Sequence, residues 1–196
     1  MSQASNRLEK RDQLISTAFS LFYRYGIHAV GINQVIDAAG VAKRTLYHHF
    51  ESKEALIAAT LAYRDQQFRT WLEARIEQAP PGEGALLAVF DALNDWFNER
   101  DEAIMPFHGC FFINTCAEYT DPQNVHHKQC QAHKRLVGEM LLRHAYQVNA
   151  ERADELSQEL VFLKEGAIVQ AHVMAAPQAA LVAKGMAKRL LQSYAT

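Results

Sequence analysis

Residues 33–56 read NQVIDAAGVAKRTLYHHFESKEAL, and the fold is decided here. Val35, Ile36, Ala38 and Ala39 supply the apolar turns of a short helix. Gly40 then falls where a sharp turn between two helices needs a residue that accepts positive φ. Val41 plugs that turn from beneath. Lys43, Arg44, Thr45, Tyr47, His48 and His49 follow on a second very short helix, which has only Leu46 and Phe50 to bury. Its exposed side therefore carries cations, a hydroxyl, a phenol and two imidazoles, groups that bond phosphates and base edges. Ser52 is placed to N-cap the next helix, which opens with Lys53-Glu54. By spacing this is a helix-turn-helix, a unit that also occurs as a plain αα-corner.

Composition narrows what surrounds that unit. The chain has 196 residues, enough for one large domain or two small ones, and 49% of them are apolar. Five prolines and nine glycines leave few breaks, which favours long helices. No apolar run is long enough to span a membrane. The polar start MSQASNRLEKRDQ lacks the apolar core of a signal peptide, so a cytoplasmic protein is expected. Net charge is −2 overall, but residues 1–55 carry +2 and the remainder −4. A basic head on an acidic body suits a protein that touches nucleic acid at one end. Three cysteines, Cys110, Cys116 and Cys130, are an odd set that argues against a disulfide framework.

Read in order, residues 1–6 are expected to form a polar tail and 7–25 a helix. The helix has Leu14, Ile15, Ala18, Phe19 and Phe22 on one face and Gly26 as its stop. A helix over 52–79, about 40 Å long, is long enough to join two domains, and Pro80-Pro81-Gly82 ends it. Further helices are expected over 83–100, 109–119, 124–149, 151–175 and 178–194. From Leu160 to Ala176 the chain is apolar nearly all round, so that helix must be buried on all sides. The last helix lines up Ala179, Val182, Met186 and Leu190. These two helices are expected to meet their copies across a two-fold axis, the alternative being a monomeric core.

The run Ala39-Gly40-Val41-Ala42-Lys43-Arg44-Thr45-Leu46-Tyr47-His48-His49-Phe50, followed by Ser52-Lys53-Glu54-Ala55-Leu56, resembles the N-terminal domain of the TetR family of bacterial repressors. The match covers residues 11–61; beyond it only length and helical character agree. The resemblance implies an all-α protein: a three-helix, helix-turn-helix DNA-binding domain over 1–52, and a larger helical ligand-binding and dimerisation domain over 53–196. It implies a homodimer through the last two helices, bound to double-stranded, near-palindromic operator DNA and released by a small-molecule effector. Lys43, Arg44 and Thr45 match positions that face bases or phosphates. Tyr47 and His49 match backbone-packing positions, with His48 beside them on the recognition helix. Lys53 matches a phosphate contact, and Asn33 a position that reaches base edges. Arg7, Lys10 and Arg11 match cations near the backbone. Val30-Gly31-Ile32 departs from the family in lacking a capping hydroxyl.

The C-terminal part offers an effector pocket or an ordinary core. Trp96, Phe107, Phe111, Phe112, Tyr119 and Phe162, with Asn114, Thr115, Cys116, His133 and Glu165, are the mix that lines small-molecule sites. Two sensor readings stand as alternatives using the same DNA head. Cys110, following Gly109, resembles the thiol of electrophile-sensing relatives, although no Lys or Arg adjoins it in sequence. His126, Cys130 and His133 share a helix face at metal-ligand spacing, or form a solvated face. Neither a bound metal nor another cofactor is expected. No Gly-rich phosphate loop, G-x-S-x-G or H-E-x-x-H is present, so an enzyme is not expected.

Overall fold

Local sequence signals set most helix ends. The computed structural model describes residues 3–194, with side chains from Leu8 onward. Helix α1 (Gln3–Tyr25) starts within the stretch expected to be a tail, because residues 3–6 contain neither proline nor glycine to stop it. Met1, Ser2 and the side chain of Arg7 lie outside the described residues. Gly26, at φ 89, closes α1 by donating its N–H to Phe22 O at 2.9 Å. Helices α2 (Ile32–Ala39) and α3 (Lys43–His49) follow. Ser52 caps α4 (Lys53–Ile76), its Oγ accepting from Ala55 N at 3.1 Å. Helix α5 (Glu83–Phe97) stops before residue 100. Asn98 turns its amide back to Asn94 O at 2.8 Å, and Glu99 takes a φ of 54. The remaining elements are α6 (Phe111–Glu118), α7 (Val125–Val148), α8 (Ala153–Val173) and α9 (Ala179–Gln192). All nine elements among the described residues are helices.

The chain divides into two compact units. One comprises residues 1–66 and 111–131, which joins α1, α2, α3 and the first half of α4 to α6 and the start of α7. Its core is Leu14, Ile15, Ala18, Phe19 and Phe22 from α1, with Val35, Leu46, Leu56 and Ile57, all buried. Phe19 stacks on Tyr23 at 5.4 Å and meets Phe111 edge-on at 5.3 Å. The other unit comprises residues 67–110 and 132–196. Its core is built by Leu86, Val89, Phe90, Leu93 and Trp96 of α5, with Val137, Met140, Leu156 and Leu160.

Helix α9 carries two stripes. Ala180, Ala183, Ala187 and Leu191 are buried, and the helix packs on α5 and α8. Small side chains at those positions let the helix axes approach closely. The stripe singled out from sequence contains Val182 and Met186, which lie on the outside.

Candidate nucleic-acid interface

The turn between α2 and α3 is built as the glycine requires. Gly40 caps α2 at φ 61 and ψ 35, and its N–H bonds Asp37 O at 3.1 Å while Val41 N bonds Ile36 O at 3.2 Å. A side chain in this left-handed conformation is strained by about 1–2 kcal/mol. Gln13 of α1 fastens the same corner from behind, donating to Ala39 O at 2.8 Å. Leu46 anchors α3 with no exposure at all, and Phe50 closes it, buried beneath the Arg11 guanidinium at 5.5 Å. The other side of α3 faces outward: Lys43, Arg44, Tyr47 and His48 are exposed, and Thr45 and His49 are half-buried. Lys43 Nζ lies 6.0 Å from the Tyr47 ring, and the His48 and His49 rings meet at 5.3 Å. Asn33 is exposed on the first turn of α2, after Gly31, which gives no side-chain cap. Lys53, expected as a phosphate contact, is half-buried at the start of α4. Its ammonium donates to Ile27 O at 2.7 Å and lies 5.9 Å from the Phe22 ring.

Residues 14–60, which span this corner and its supporting helices, match the family model for bacterial regulatory proteins of the tetR family. A TetR-family transcriptional regulator from Streptomyces coelicolor superposes with a TM-score of 0.86 at 29% identity, covering 96% of this chain and 97% of that one. The N-terminal domain is of the TetR family. It is 30% identical over 116 residues to the HTH-type transcriptional repressor ComR of Escherichia coli strain K12, covering 59% of this chain and 53% of ComR. It is 33% identical over 103 residues to the HTH-type transcriptional activator FasR of Mycolicibacterium smegmatis, covering 51% and 47%. The chain thus spans about half the length of these curated relatives. Both relatives are transcription regulators, one of each sign.

The residues expected to line an effector pocket beyond this TetR-type domain fall into three settings. Trp96, Phe107 and His133 belong to an aromatic cluster that also holds Phe68, Trp71 and Phe97. Trp96 lies 5.4 Å from Phe68 and 4.8 Å from Phe107, and His133 lies 5.5 Å from Phe68. The indoles are fixed by donation from Trp96 Nε1 to Met105 O and from Trp71 Nε1 to Asp101 Oδ2. Phe68 and Trp71 were missed from sequence, although aromatics three apart on one helix were the available signal. Phe111, Phe112, Thr115, Cys116 and Tyr119 lie in the unit that contains α3. Thr115 is buried and spends its hydroxyl on Phe111 O at 2.8 Å. Phe162 and Glu165 stand on α8, where Phe162 is 75% exposed and so lies outside the buried aromatic cluster.

Phe162 and Glu165 border an apolar groove of about 710 Å³ between α8 and α9, with Val169, Val182 and Met186. Beneath it sits a charge cluster that sequence order hides. Lys164 is buried and paired to Glu165, which also accepts from Lys134 Nζ at 2.6 Å. Burial pushes the Lys164 ammonium down from its ordinary value. Burial would raise Glu165, but Lys164 and Lys134 outweigh it and hold the carboxyl at about 2. Lys134 Nζ also lies 3.4 Å from Cys110 Sγ, which corrects the expectation of a thiol without a cation beside it.

The His126–Cys130–His133 face is buried, not solvated. His126 Nε2 pairs with Glu54 Oε2 at 2.6 Å, and His133 packs on Phe68. Among the described residues no three His, Cys, Asp or Glu side chains come together as metal ligands. No helix among them is long and apolar enough to cross a membrane.

Proposed function

We propose that this chain is a DNA-binding transcriptional regulator that works as a homodimer on a near-palindromic operator. The observation that carries the reading is α3. It is a seven-residue helix pinned by Leu46 and by the left-handed turn at Gly40, with Lys43, Arg44, Tyr47 and His48 exposed on its outer side. Arg44 and Asn33 are assigned to base edges, and Lys43, Thr45, Tyr47 and His49 to phosphate and sugar, with His48 at the groove margin. Lys53 steadies this head through Ile27 O.

The groove between α8 and α9 is assigned to the second copy. It is apolar, it presents Phe162, Val182 and Met186 to solvent, and it runs along two adjacent helices. A two-fold axis then sets two recognition helices about 34–36 Å apart, matching successive major grooves. Trp96, Phe107 and His133 are assigned to effector recognition, and an effector that binds the DNA-incompetent state more tightly releases the operator. The action is cytoplasmic, where the operator is.

Fluorescence anisotropy with duplex DNA from upstream of the coding sequence, against random duplex of equal length, tests the reading. Tighter binding to the upstream fragment is expected, with affinity that falls steeply as salt rises. Equal binding to both fragments, or affinity indifferent to salt, overturns it.

A further inference from the structure

The α1–α2 loop is held by a carboxylate from far along the chain. After Gly26 ends α1, the amides of Ile27 and His28 have left the helix and point outward from the turn. Glu118, the last residue of α6, takes both: Ile27 N donates to Oε1 at 2.8 Å and His28 N to Oε2 at 2.6 Å. His28 Nδ1 lies 3.5 Å from the same Oε2. Hydrogen bonds from backbone amides to an ionised carboxylate are the stronger, shorter kind. A Cβ on Gly26 would stand 3.3 Å from Glu118 Oε1, so the glycine also makes room for the carboxylate.

The same loop is gripped from its other side. Ile27 O accepts from Lys53 Nζ at 2.7 Å, so one residue is tied to α4 through its carbonyl and to α6 through its amide. Tyr119, next after Glu118, sets its ring 4.8 Å from His28 and 4.9 Å from His126. His126 closes the circuit through Glu54, on the first turn of α4. Ile27 and Val30 are buried, so the loop cannot shift without moving core side chains. Helix α2 begins at Ile32, four residues beyond His28, and leads through Gly40 into α3.

We infer that Glu118 is a positioning residue for DNA reading, tying α6 to the loop from which α2 and α3 hang. The inference rests on the DNA-binding reading above. Helix α6 belongs to the same compact unit as α1, α2 and α3. A displacement of α6 acts on the head through two charge-assisted hydrogen bonds. With the clamp closed, α3 is held in one orientation and specific DNA pays little to order it.

The test compares full-length wild type with Glu118→Gln and Glu118→Asp. The DNA probe is the sequence that wild type itself enriches from a random duplex pool, alongside random duplex of equal length. Hydrogen exchange is followed in the segment 26–31. Glu118→Gln is expected to speed exchange there about 10- to 100-fold. It should also lower the ratio of selected to random binding at least about tenfold, at unchanged helical content. Glu118→Asp, which keeps the charge on a shorter arm, should fall between.

Unchanged exchange in Glu118→Gln overturns the clamp. Faster exchange with an unchanged binding ratio overturns the positioning role and leaves Glu118 a purely structural contact. If Glu118→Gln does not fold, Glu118→Asp decides by the same two readouts. A wild type that enriches no sequence sinks the DNA-binding reading and this inference with it. A wild type that does enrich one, with variants that match it, sinks the inference alone.

Discussion

Phe162→Ala tests the two-fold interface at its most exposed apolar side chain. The ring is 75% exposed in the single chain and borders the groove between α8 and α9. Burying a phenylalanine side chain fully contributes about 1.5–3 kcal/mol. Three quarters of that, counted twice because the axis puts two copies into one interface, is about 2–5 kcal/mol. At about 1.4 kcal/mol per decade, the dimer dissociation constant should rise about 30- to 4000-fold. Sedimentation velocity over a dilution series reads this directly. The protomer should keep its helical content, because the ring stands in solvent within its own chain. Phe162→Leu should lose only a minor part of the effect. A dissociation constant within threefold of wild type for Phe162→Ala would show that the groove has another use.

Three further outcomes are expected. Gly40→Ala places a Cβ at φ 61 and should cost about 1–2 kcal/mol in urea unfolding, with DNA binding reduced as the α2–α3 angle changes. Arg44→Ala should relax base preference at particular operator positions, by about 1–3 kcal/mol of discrimination, while Lys43→Ala should weaken selected and random DNA alike; equal effects of both substitutions on both DNAs would contradict that division. Burial would raise the Glu165 carboxyl, but Lys164 and Lys134 hold it at about 2, below its ordinary value of 4.5. Its stabilisation is therefore present above pH 4.5 and is lost as pH falls towards 2. Glu165→Gln should remove a contribution on the order of 3 kcal/mol at neutral pH and flatten the acid limb of the stability curve; an unaltered acid limb would contradict the ion-pair geometry.

How much of this was legible in the sequence depended on distance along the chain. Gly26, Gly40, Ser52 and Pro80-Pro81 act on their own neighbours, and each ends or caps a helix where local chemistry says it should. The exposed face of α3 was legible because only Leu46 and Phe50 of its residues are apolar. Spacing on one helix reveals a shared face but not what covers it. For that reason His126, Cys130 and His133 read as solvated when they are buried. Helix α9 has two apolar stripes, and periodicity alone could not say that the alanines face inward. Cys110 and Lys134 are 24 residues apart, and Glu118 is 91 residues from Ile27. No local pattern announces such pairs; only tertiary packing within each unit brings them together. The bond from Lys53 to Ile27 O was not legible, because a backbone acceptor is not displayed by side-chain patterns.

The most direct measurement is selection of bound sequences from a random duplex pool by the full-length protein. A near-palindrome should be enriched, with half-sites whose centres lie one helical turn or a whole multiple apart. Arg44→Ala should blur specified bases within each half-site. A pool that emerges without any enriched sequence would contradict the assignment of α3 as a recognition helix.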